Sequence, residues 1–190
     1  FMEKAKQFGK PVQLGVIIPK SAGMAKFMNN NVAGVHVPQW MIDELAADKE
    51  KAKAITDEFV KAVSACSSTK TGALIVLERE TSLTEIAETG TEINADISAQ
   101  LIGNIFYEGA PLHDGAVIIR GDKIYAASCV LPLTNNKDLN KSLGTRHRAA
   151  IGMSEHSDAV VVIVSEETGF ISVAINGKLQ RDVQTGKLRE

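Results

Sequence analysis

The 190-residue chain is 44% hydrophobic and 23% charged, an average globular composition that supports a sizeable core and excludes disorder as the default. A net charge of -2 and a pI near 6.1 exclude a broad basic face for nucleic acid, so a polyanion can bind only where a few cations converge. No stretch reaches the ~18 apolar residues of a membrane span, the first residues lack a leader pattern, and the isolated Cys66 and Cys129 read as buried thiols of a reducing compartment. These features set the expectation of a cytoplasmic protein with no membrane span.

In chain order, Val12–Ile18 reads as a short strand. Ser21 is an N-cap for a helix carrying Met24, Phe27 and Met28 at helical spacing. Pro38 opens a second helix through Met41 and Leu45. From Lys49 a longer helix lines up Ile55, Phe59, Val60, Val63 and Cys66 on one face, until Ser67–Thr71 breaks it. Gly72–Leu77 has apolar residues on both faces, as a fully buried strand does. Ile97, Leu101, Ile102, Ile105 and Phe106 form another amphipathic helix, with Asn94 or Asp96 as its cap. Ala116–Arg120 and Lys123–Leu131 flank the turn pair Gly121-Asp122. A polar loop over Thr134–Lys141 leads to a helix from Thr145 to about His156. Ala159–Val164 is another buried strand, and Phe170–Ile175 pairs with Lys178–Val183 around Asn176-Gly177. Hairpins and crossovers together predict an α/β fold, a mixed β-sheet flanked by helices.

Two clusters carry chemistry. In Leu112-His113-Asp114-Gly115-Ala116, small residues allow close approach to the backbone, Asp114 offers oxygen to a hard divalent ion, and His113 offers nitrogen. The same residues also suit a plain turn. In Gly144-Thr145-Arg146-His147-Arg148, three potential cations occupy the first turn of a helix, the end whose dipole disfavours them. An anion held by free amides, guanidinium forks and the Thr145 hydroxyl resolves that conflict; a solvated basic cap is the alternative. Ser165-Glu166-Glu167-Thr168-Gly169 follows a buried strand, and Leu131-Pro132-Leu133 ends another, the latter as core or as an apolar wall for a base.

These pieces, in this order, resemble the diadenylate cyclase family, whose signatures are Asp-Gly-Ala (Asp114-Gly115-Ala116) and Arg-His-Arg (Arg146-His147-Arg148). The resemblance runs over about residues 55–180, also takes in Gly72–Val76, Pro111–His113, Leu131–Leu133, Gly144-Thr145 and Ser165–Gly169, and is strongest to the membrane-linked type, whose anchoring segment has no counterpart here. It implies that two ATP molecules condense to cyclic di-AMP with release of two pyrophosphates. Asp114 holds a divalent metal (Mn²⁺ or Mg²⁺, with Co²⁺ a third choice), with His113 as a further ligand. Gly115 and Ala116 lie along the nucleotide, Leu131 meets adenine, and Thr145, Arg146, His147 and Arg148 hold the triphosphate beside Ser165 and Glu167. It further implies a homodimer that presents two sites to each other. A silent module that binds ATP or cyclic di-AMP without turnover is the alternative.

Residues 1–50 resemble instead the closing part of a methylenetetrahydrofolate reductase barrel, through Leu14–Pro19, Ser21–Met28 and Val35–Pro38. One strand and two helices cannot close a (β/α)₈ ring, so no flavin or folate chemistry is carried over. The expected organisation is a βαα appendage over 1–50 and a catalytic domain over 51–190.

Overall fold

The computed structural model describes residues 19–32, 35–136 and 143–189. The chain divides into two compact units, Phe1–Lys51 and Ala52–Glu190. In the first, helix α1 (Ala22–Asn31) starts where the Ser21 hydroxyl accepts from the Met24 amide, the predicted cap. Asn29 grips the backbone of Val37 through both its amide nitrogen and its oxygen (2.9 and 2.6 Å). Ala25, Met28, Val37 and Ile42 are buried together. The expected Val12–Ile18 strand lies outside the described residues.

The two helices expected around Pro38–Leu45 and after Lys49 are one, α2 (Gln39–Thr69). Ala46-Ala47-Asp48-Lys49-Glu50 contains no glycine or proline, and most of its residues favour helix, so nothing interrupts it. In the second unit the predicted face of α2 is buried through Phe59, Val60, Val63 and Cys66. The helix closes on Lys70 at φ 54, with the Thr71 amide donating back to the Cys66 carbonyl, as left-handed helix ends do.

A seven-stranded mixed sheet forms the centre of this unit. Its strands are β1 (Ala73–Leu77), β2 (Thr91–Asp96), β3 (Ala116–Arg120), β4 (Lys123–Cys129), β5 (Val160–Val164), β6 (Ile171–Ile175) and β7 (Lys178–Gln180), ordered β2-β4-β3-β1-β5-β6-β7. Only β1 and β3 run parallel among these neighbours. Alternation splits the strand residues between two cores. Ile75, Val117 and Val162 face α2 and α4 (Ala99–Ile105), whereas Leu74, Val76, Ile118 and Ile163 pack with Ala149, Ala150 and Met153 of α5 (Thr145–His156). The short helix α3 (Thr84–Ala87) follows β1.

Two local expectations need correction. The cap of α4 is Ser98, whose hydroxyl accepts from Leu101, rather than Asn94 or Asp96. Those residues belong to β2, an exposed edge strand whose polar sequence gives no apolar period, bulged between Glu92 and Ala95 with Asn94 at φ 48. Strand β4 stops at Cys129 rather than Leu131, because Ser128 turns to φ 57 and the β3–β4 register shifts beside it. The β6–β7 turn is as predicted, with Asn176 and Gly177 both at positive φ (49 and 72), the mirror-image turn that matches strand twist.

Helix α5 is buried around most of its circumference, with seven of its residues inaccessible from His147 to Ser154. Gly152 makes this packing feasible. A Cβ there would lie 2.3 Å from the Pro132 carbonyl oxygen and 2.6 Å from the Thr134 nitrogen. Thr134 is pinned along the helix, its amide to the Arg148 carbonyl and its hydroxyl to Glu155. Gly→Ala inside a helix ordinarily stabilises by up to ~1 kcal/mol. Gly152→Ala is expected to do the reverse, costing about 1–3 kcal/mol by overpacking, measured as a lower urea midpoint.

Candidate active site

The site lies along one edge of the sheet, for reasons of register. Ala73 at the start of β1 faces Val164 at the end of β5, and Ala116 at the start of β3 faces Cys129 at the end of β4. Because β1 and β3 are parallel, both starts share an edge. Ile171 opens β6 opposite Val164, and Gln180 closes β7 opposite Val173, so the end of β7 reaches the same edge. The Asp114 approach, the Ser128–Leu131 exit, the Ser165–Thr168 turn and the α5 start thereby converge on a cleft of about 680 Å³.

Of the residues singled out in the sequence, Asp114, Gly115, Leu131, Thr145, Arg146, His147, Ser165 and Glu167 line this cleft together. Three others do not. Ala116 is fully buried within the core beneath, since its strand side chain points into the sheet's α5-facing layer. Arg148 is half-buried off the lining; two helical steps turn its attachment to the helix about 200° from that of Arg146. His113 lines a neighbouring polar cavity of about 410 Å³, with Lys70, Glu108, Arg146 and Glu166. Arg146 and Glu166 border both cavities.

Gly115 sits at φ 98, and a Cβ on it would come within 2.8–3.0 Å of the Ser128–Cys129 backbone. Glycine is therefore what lets the Asp114 turn press against the irregular end of β4, where Ser128 holds a left-handed conformation of the kind that clusters at functional sites. At α5, Gly144 leaves the first turn without a side-chain cap. The positive end of the helix dipole is thus directed at the cleft. Arg146 forms an ion pair with Glu166, directly over Gly72, where a Cβ would lie 2.6 Å from Nη1.

His147 is only 9% exposed. Burial, and next the Arg181 charge, hold its imidazole below the usual pKa, with Glu167 opposing. A pKa held below that of a free imidazole leaves the ring mostly neutral near pH 7. Burial alone pushes the Cys129 thiol up to about 11, so this buried sulfur is no nucleophile at neutral pH. Leu131, Val130, Leu133 and Leu143 supply the cleft with apolar lining beside the charged groups. Sequence reasoning missed Ser128, Val130, Leu143 and Arg181, none of which belongs to a motif.

No group of three metal-ligating side chains occurs among the described residues, but a metal that completes its sphere from phosphate oxygens needs only one or two protein ligands. Exposed Asp114 can supply one. The His113 Nδ1 lies 2.6 Å from the Ala110 carbonyl oxygen. A carbonyl can only accept, so Nδ1 carries the proton and Nε2 keeps its lone pair for a ligand role. The donor set fits a hard divalent ion shared with phosphate.

An apolar wall, an uncapped helix start with a guanidinium, and a carboxylate in one cleft at a sheet edge define an α/β nucleotide-binding domain. The family model "DisA bacterial checkpoint controller nucleotide-binding" (DAC) matches residues 60–179; the chain belongs to that family, which implies a divalent metal requirement. The cyclic di-AMP synthase CdaA of Bacillus subtilis is 46% identical over 144 residues, 76% of this chain and 51% of that protein. The diadenylate cyclase CdaS of Bacillus thuringiensis is 52% identical over 118 residues, 62% of this chain and 59% of that one. The chain thus spans about half the length of these curated relatives. A crystal structure of a DacA double mutant from Staphylococcus aureus matches with a TM-score of 0.72 at 48% identity, covering 73% of this chain and 92% of that one. No helix among the described residues is long and apolar enough to cross a membrane.

Proposed function

We propose that residues 51–190 form a diadenylate cyclase domain that condenses two ATP into cyclic di-AMP, with residues 1–50 an appendage outside the chemistry. One observation carries this reading: Asp114 and the Thr145-Arg146-His147 turn line a single cleft with an apolar wall. The names of the relatives, cyclic di-AMP synthase and diadenylate cyclase, support it.

In each half-reaction a 3′-oxygen attacks an α-phosphorus, its bond to that phosphorus forms, and the bond to the β-phosphate bridge breaks to release pyrophosphate. Little covalent work falls to the protein, so positioning and charge neutralisation dominate. Leu131 and Leu133 hold the base. The free amides of α5, the Thr145 hydroxyl and Arg146 bind phosphate oxygens, with Ser165 and Glu167 at the border. Neutral His147 donates or accepts one hydrogen bond without adding charge. Asp114, with His113 beside it, would hold a Mn²⁺ or Mg²⁺ ion, which when bound offsets phosphate charge and acidifies the 3′-hydroxyl. The product has two equivalent linkages, so two copies facing each other across a two-fold axis serve both attacks. ATP supply places this work in the cytoplasm.

Incubation with ATP and Mn²⁺ or Mg²⁺, followed by chromatography, tests the reading. The expected result is cyclic di-AMP with two pyrophosphates per product, at a specific rate that rises with protein concentration. Bound but unconverted ATP across that concentration range would make the domain a silent nucleotide module.

A further inference from the structure

Arg181 lies just beyond β7, outside every motif, yet it lines the cleft beside Arg146 and His147. It comes from the far side of the sheet edge. Along that edge the order is the end of β4 with Val130 and Leu131, the start of β3 with Asp114, Gly72 and Arg146 at β1, Ser165–Thr168 after β5, then Arg181 after β7. A linear ligand whose apolar head sits at β4 and whose reacting group sits at Asp114 extends its charged tail toward β7.

The charges of the described lining favour the same assignment. Asp114, Glu166 and Glu167 are acidic, and Arg146 and Arg181 are basic. Arg146 is engaged by Glu166. Arg181 is exposed and, among the described residues, has no carboxylate partner within ion-pair distance. Its charge is nonetheless felt at His147, so the guanidinium acts on the cleft rather than on bulk solvent alone. Removing it would leave three carboxylates against one paired arginine, a poor receptor for a polyanion.

We infer that Arg181 is a phosphate-binding residue that takes the terminal phosphates of the nucleotide and so discriminates triphosphate from monophosphate. This rests on the cyclase reading for the identity of the ligand. Its side chain holds the departing pyrophosphate end, whereas Arg146 and the α5 amides hold the phosphate nearer the reacting centre.

The test uses the full chain with 3′-deoxyATP, which cannot cyclise, and 3′-deoxyAMP, titrated calorimetrically with Mg²⁺. Arg181→Gln is expected to raise Kd for 3′-deoxyATP about tenfold, the scale of one exposed charged hydrogen bond, and to leave Kd for 3′-deoxyAMP and the melting temperature unchanged. Arg181→Lys should recover part of the loss. Equal affinities of wild type and Arg181→Gln for 3′-deoxyATP, or equal losses for both nucleotides, overturn the assignment. Wild-type protein that binds 3′-deoxyATP but makes no product from ATP overturns the cyclase reading alone, and wild-type protein that binds neither nucleotide overturns both.

Discussion

Asp114→Asn is expected to lower cyclic di-AMP formation by about 10²–10³-fold, the scale on which one preorganised electrostatic group contributes to a transition state. The side chain is exposed at the cleft, so stability should stay within about 0.5 kcal/mol of wild type. The amide keeps the shape and one oxygen but removes the charge that a hard cation requires. Turnover and urea unfolding measured on the same preparation separate the two effects. Normal product formation by the folded variant would remove Asp114 from the chemistry.

Gly115→Ala should damage both fold and site. At φ 98 an L-residue is strained, and the new methyl would meet the Ser128 carbonyl carbon and the Cys129 carbonyl oxygen at 2.8 and 2.9 Å. Both obstacles are backbone, at the end of a strand paired with a neighbour on each side, so no side chain can swing away. Strain and displacement together are expected to cost about 3 kcal/mol or more, read as a lower urea midpoint. Because Ser128–Leu131 forms the apolar side of the cleft, ATP affinity should fall with it. An alanine variant of wild-type stability would show that this turn relaxes freely.

What could be read in advance followed from burial. Strands β1 and β5 are continuous apolar, β-branched runs because both sheet faces are covered, and Asn176-Gly177 announced its hairpin through the dihedral angles it must adopt. The basic first turn of α5 broke a local electrostatic rule, and the structure aims that turn into the cleft with Asp114. Other features had no comparable signal. Strand β2 is polar because it lies at an exposed edge, and the continuity of α2 depended on the absence of a breaker. Ser128 was invisible, since a left-handed serine is imposed by the bulge and the approach of Gly115 rather than by its own preference. Arg181 reaches the cleft only because two antiparallel returns bring the end of β7 to the edge where β5 ends. Arg148 and Ala116 were grouped with their neighbours by motif, although helical rotation and strand alternation turn them elsewhere.

The central strand has consequences for how the protein is made. β1 pairs with residues 117–119 on one side and 160–164 on the other, so its hydrogen-bonding partners lie some 40 and 90 positions downstream. Such distant pairing slows folding. A ribosome-bound nascent chain that has not yet extended past Val164 leaves one edge of its most apolar strand open to other chains. The ligand pocket, drawn from segments between Leu74 and Arg181, can be completed only after nearly all of this domain has emerged. Expression at lower temperature, or with chaperones that shield nascent β edges, should accordingly raise the recovered fraction of nucleotide-competent protein.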